Sequence, residues 1–154
     1  MAKIENFRKV RSDNRVFYDD IDISNLGWPP CKIRDLFWEY EGKTIEFHED
    51  PEIGIFAYLI KDKDVVLFLE TIGDEERSKY LTVYNADGSV RFSVPNKQII
   101  HGKEQTGSFE WLQDYGNRQS SHFIVVFFPD NLNGYYNILV DYDTGETKCL
   151  SEAR

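Results

Sequence analysis

The chain is poor in sulfur, with two cysteines and one methionine in 154 residues. Cys31 and Cys149 form at most one bridge, and in a cytoplasmic chain they are expected to stay reduced, as small buried hydrophobes. No run approaches the roughly twenty apolar residues that cross a bilayer. The stretch Met1-Ala2-Lys3-Ile4-Glu5-Asn6 has no apolar core of a secretory signal, so the expected compartment is the cytoplasm. Chemical signatures are missing too. The ten glycines are scattered at turns rather than gathered in a phosphate loop, and no serine stands in a Gly-x-Ser-x-Gly elbow. The histidines His48, His101 and His122 include no pair three or four apart of the kind that holds zinc. Among Glu46, Glu49, Asp50 and Glu52, His48 reads as part of a solvated turn. These absences point away from an enzyme; no catalytic residue, no cofactor and no metal is expected.

Aromatic residues, by contrast, are plentiful: eleven Phe, nine Tyr and three Trp make 15% of the chain, and such rings favour pleated, half-buried surfaces. Most of the order is periodic. Tyr80-Leu81-Thr82-Val83-Tyr84-Asn85-Ala86-Asp87-Gly88-Ser89-Val90-Arg91-Phe92 is echoed by Asn137-Ile138-Leu139-Val140-Asp141-Tyr142-Asp143-Thr144-Gly145-Glu146-Thr147-Lys148-Cys149. Each is a strand, a tight turn ending in Gly, and a second strand. The echo extends upstream, Gly54 to Leu59 matching Gly107 to Leu112, and Val66 to Leu69 matching Phe123 to Val126. Each unit therefore reads as a four-stranded antiparallel meander, near 54–94 and 107–150. A weaker copy spans 15–50, with a Gly turn at Gly42 and an early strand at Arg15 to Tyr18. There Pro29-Pro30 followed by Ile33, Leu36 and Phe37 fits a short helix over 31–38 as well as it fits a strand.

The expectation is one β-rich domain over 1–154, all-β and mainly antiparallel, with ten to twelve strands and at most one short helix. Four-stranded meanders repeated at this spacing resemble β-propeller blades. The resemblance implies a partial propeller or a stack of sheets, since two or three blades do not close a ring. Within it Phe56, Tyr58, Val66, Phe68, Phe109, Trp111, Val125 and Phe127 alternate and read as core. Trp28, Trp38, Tyr115, Tyr135 and Tyr136 sit in or beside loops, as contacts or as plugs.

Charge supplies the functional argument. The net charge is −9, and residues 19–76 hold most of it, at −11 against +3 for residues 1–18. A field of this sign repels phosphate backbones and attracts basic proteins. Asp19, Asp20 and Asp22, then Glu49, Asp50 and Glu52, then Asp74, Glu75 and Glu76 form three acidic clusters at expected loops. With Trp28 and Tyr115 as anchors they are the candidate contacts for a basic partner protein. Asp141-Tyr142-Asp143-Thr144-Gly145-Glu146 has the opening of a calcium loop but too few ligands, and a hairpin turn explains it. Small, acidic, expected in the cytoplasm and without catalytic signatures, the chain resembles by overall character the immunity proteins of polymorphic antibacterial toxin systems. That resemblance implies an inhibitor that binds and neutralises a basic toxin such as a nuclease. The competing expectation is a non-catalytic, propeller-like module that binds a small ligand or self-associates through a sheet edge.

Overall fold

Alternating apolar and polar residues, punctuated by Gly, Asn and Asp, give strands almost throughout. The computed structural model describes residues 3–18, 33–50, 55–60, 63–72, 75–114 and 121–153. Among the described residues there are thirteen strands and no α-helix. They are β1 Glu5–Arg11, β2 Val16–Tyr18, β3 Ile33–Tyr40, β4 Lys43–His48, β5 Phe56–Ile60, β6 Val65–Ile72, β7 Glu75–Asn85, β8 Val90–Val94, β9 Lys97–Ile100, β10 Lys103–Asp114, β11 His122–Pro129, β12 Tyr135–Asp141 and β13 Thr147–Ala153. Three sheets result, ordered β2-β1-β3-β4, β5-β6-β7-β8 and β13-β12-β11-β10-β9. The fold is all-β, and the echoed hairpins are β7–β8 and β12–β13. By chain contacts it divides into two units, Met1–Leu67 with Tyr84–Ser89, and Phe68–Val83 with Val90–Arg154.

In the first unit β1 lies between β2 and β3, antiparallel to both. The segment that fits helix or strand is β3 from Ile33 onward; Cys31 and Lys32 lie outside the described residues. The helix-like spacing of Ile33 and Leu36 has a local cause. Val10 pairs with Asp35 and Arg11 with Ile33, so Arg34 is an extra, bulged residue. A bulge puts residues three apart on one face of a strand. Ile33, Leu36 and Trp38 are all buried. Trp38 is sealed completely: its ring stacks on Phe7 at 6.3 Å and Phe47 at 5.4 Å, and its Nε1–H donates to the Ala86 carbonyl at 2.7 Å.

The second unit holds the five-stranded sheet. Phe109, Phe123, Val125, Phe127, Ile138 and Val140 are buried, and Phe109 and Phe127 lie 5.2 Å apart. Each ring of this size stabilises the fold by roughly 2–3 kcal/mol when fully buried. Gly107 allows two strands to close up. A β-carbon there would stand 2.2 Å from the Phe128 carbonyl oxygen, inside any permitted contact. The β12–β13 turn is fixed against β8. Gly145, at φ +76°, sits on the Phe92 ring, and Arg91 donates to the Tyr142 carbonyl at 2.7 Å and to Asp143 at 2.6 Å. β9 and β13, the two ends of the sheet, curl toward each other without becoming hydrogen-bonded neighbours.

Three ring positions depart from the alternation read along the sequence: Phe56 and the half-buried Tyr58 on β5, and Trp111 on β10. Phe56 is 39% exposed because β5 runs in the opposite phase, with Ala57 and Leu59 turned inward. Trp111 is 40% exposed. Phe109 faces Phe127 while Trp111 faces Val126, so Glu110 is an extra residue and the phase of β10 slips by one.

Candidate partner-binding site

Of the acidic positions read as contacts, Asp19, Asp20, Asp22, Glu52 and Asp74 lie outside the described residues, as do Trp28 and Tyr115. Glu75 and Glu76 open β7. Glu49 and Asp50 follow β4 and are exposed. The Glu49 N–H donates to the Arg34 carbonyl at 2.9 Å, and the Glu49 carboxylate caps the Asp50 N–H at 2.9 Å.

Beside them the strand pairing of Asp35 with His48 builds a charged group. The Asp35 carboxylate accepts from Arg34 Nε at 2.9 Å and lies 2.7 Å from His48 Nδ1, while Glu46 stands 3.7 Å from His48 Nε2. The hydrogen bond to Asp35, then its charge and that of Glu46, raises the His48 pKa above the usual histidine value against a smaller opposing effect of burial. Burial pushes Asp35 upward, but its bonds from His48 and Arg34 outweigh this and hold it below the usual carboxylate range.

A second surface, absent from the acidic reading, lies on the outer face of the five-stranded sheet. The slip at Glu110 brings Trp111 beside Tyr135, with ring centroids 5.3 Å apart, and Phe128 lies 4.9 Å from the same tyrosine. Tyr135 is 41% exposed. The Trp111 indole N–H donates to Gln113 at 2.9 Å, which fixes the ring. Trp111 and Asn137 both stand opposite Val126. The Asn137 amide oxygen is buried without a hydrogen-bond partner among the described residues. Clustered, partly exposed rings with an unsatisfied polar atom beside them are the make-up of a protein-contact hot spot. Glu110, Asp114 and Asp130 flank the rings in sequence. Of the loop aromatics proposed as contacts or plugs, Tyr135 belongs to this surface, whereas Trp38 and Tyr136 are buried.

The Asp141 carboxylate accepts the N–H groups of Asp143 at 2.7 Å and Thr144 at 3.0 Å. These bonds hold it below the usual carboxylate range, against burial, and they are those of a hairpin turn. Cys149 is a free, half-buried thiol whose pKa is raised by burial.

No protein-family model matches the chain, and no curated protein matches it. Among solved structures it is similar to a chain from the structure of Tne2 in complex with Tni2, with a TM-score of 0.84. The identity is 19%, over 98% of this chain and 99% of that one, so the likeness is one of fold.

Proposed function

We propose that this chain is an immunity protein: a non-catalytic inhibitor that binds an antibacterial toxin and neutralises it. The observation that carries the reading is the end-to-end likeness of fold to a chain taken from a complex of two proteins. The sequence supports it independently, through a net charge of −9 and the lack of catalytic signatures. A basic toxin such as a nuclease fits that charge, because opposite fields speed association. The anchor is the ring cluster of Trp111, Phe128 and Tyr135. Such rings bury much area on docking and take the aliphatic stems and cations of Lys and Arg on their faces.

The test is rescue. A toxin domain encoded beside this chain's gene is expressed in a bacterial host, with and without the chain. Restored growth and a 1:1 complex are expected; a host that dies equally in both cases overturns the reading. The double variant Trp111→Ala, Tyr135→Ala is expected to weaken the complex by about 30-fold or more, as loss of a hot spot does. The unchanged melting temperature of that variant separates lost contact from lost fold.

A further inference from the structure

One carboxylate stands inside the aromatic face of the five-stranded sheet, and strand register places it there. Phe109 faces Phe127 and Trp111 faces Val126, so Glu110 and Trp111 share one partner residue across the ladder. A hydrogen bond fixes the side on which Glu110 lies: Ser108 Oγ donates to its carboxylate at 2.8 Å. Ser108 pairs with Phe128, and residues directly opposite in a sheet project from one face with Cβ atoms about 5 Å apart. Glu110 therefore belongs to the patch of rings in which Tyr135 lies 4.9 Å from Phe128 and 5.3 Å from Trp111.

Two donors of this patch are already engaged. The Trp111 indole N–H goes to Gln113 at 2.9 Å, and the Ser108 hydroxyl goes to Glu110. The Glu110 carboxylate is half-buried, and its other oxygen has no hydrogen-bond partner among the described residues. Register supplies no countercharge. Ser108 and Phe128 form one cross-strand row, Trp111, Val126, Asn137 and Ser151 form the next, and neither holds Lys or Arg. A half-buried anion in this state costs the free chain stability until a cation meets it.

Trp111 at 40% and Tyr135 at 41% exposure leave ring surface open beside that anion. Charge and shape together then select the occupant. A guanidinium is planar, stacks on Trp and Tyr, forks a carboxylate with paired N–H groups and sheds water more easily than an ammonium. An acceptor would be repelled by Glu110, and an aliphatic side chain would cover the charge without pairing it.

We infer that this patch takes one arginine side chain of the toxin, stacked on Trp111 and Tyr135 and hydrogen-bonded to the Glu110 carboxylate. The inference rests on the immunity reading and adds to it a single contact of stated chemistry. Because the contact is short-range, it slows dissociation, while the net charge of −9 governs encounter.

Binding kinetics with the toxin domain encoded beside the gene test this. Glu110→Gln keeps the shape of the side chain and an acceptor for Ser108, so the melting temperature of the free chain is expected not to fall. Dissociation of its complex is expected to speed up by about tenfold or more, with association changed by less than about twofold. Each surface arginine and lysine of the toxin is then changed to Ala in turn. One arginine is expected to matter at least about fivefold less against Glu110→Gln than against the wild type, the non-additivity of two groups in contact. A complex that protects the host but dissociates no faster with Glu110→Gln, or that couples Glu110 to a lysine or to no cation, overturns the inference and leaves the immunity reading standing. Self-association of the free chain that Trp111→Ala abolishes assigns the patch to a second copy and also overturns it. No complex with the toxin overturns both.

Discussion

The strongest claims at the scale of single residues concern groups whose hydrogen-bond partners are known. His48 is one. Its pKa in the folded chain lies above the ordinary 6.5, chiefly through its bond to Asp35. A histidine with a raised folded-state pKa stabilises the fold fully below its unfolded value, and that contribution is lost as pH rises through the raised one. The gap in melting temperature between the wild type and His48→Gln is therefore expected to be larger at about pH 5.5 than at about pH 8.5. A gap independent of pH would mean that the ring is not charged in its bond to Asp35. Trp38 gives a prediction of another kind. Trp38→Phe keeps most of the stacking but leaves the Ala86 carbonyl without its donor, in a buried setting. About 1–3 kcal/mol of stability is expected to go, read by denaturant titration.

Among elements, the meanders were legible in the sequence because apolar alternation and Gly turns are local signals. Within 54–94 the described residues form β5 to β8 in the order read, and the turns at Gly42, Gly88 and Gly145 all have positive φ. What sequence parity could not supply is where a strand slips phase. The bulge at Arg34 made a strand look helical, and the bulge at Glu110 made an exposed tryptophan look like core. A bulge is set by the neighbouring strand, so the chain's own period carries little trace of it. Trp111 followed directly by Leu112 was the one hint, since two adjacent apolar residues cannot both face inward. β9 carries a weak sequence signal for a different reason: the turn that follows it has His101 where Asn, Asp or Gly usually stands. With φ of +53° at His101 and +77° at Gly102, the pair makes the two-residue hairpin turn that joins β9 to β10. The strand β1 escaped because only Phe7 and Arg11 of Glu5–Arg11 are buried, and no alternation shows. The close approach at Gly107 yields an element-scale prediction. Gly107→Ala must push β11 away from β10, and a loss of about 3 kcal/mol is expected. Gly102→Ala meets open space and carries only the strain of its turn, so it should cost about 1 kcal/mol.

For the molecule as a whole, charge is the property the sequence states most directly, and its arrangement is what the sequence withholds. Whether three acidic clusters share a face depends on how loops are brought together, and most of those positions lie outside the described residues. The aromatic face was hidden in the same way, because its rings come from three strands and meet only through pairing. The charge itself still makes a kinetic prediction. If the acidic residues steer a basic partner, reversing Glu75 and Glu76 to Lys slows association and flattens its dependence on salt. Stopped-flow mixing at two ionic strengths measures both; unchanged rates would remove the acidic field from the mechanism.

The contrast between Trp38, fully sealed, and Trp111, 40% exposed, also has an optical consequence. Indole emission shifts to longer wavelength in contact with water, so the two rings emit in different parts of the spectrum. Docking on the outer sheet face should blue-shift the component contributed by Trp111, one of three indoles in the chain. The difference spectrum between wild type and Trp111→Phe isolates that component, which makes the protein its own unlabelled reporter of complex formation.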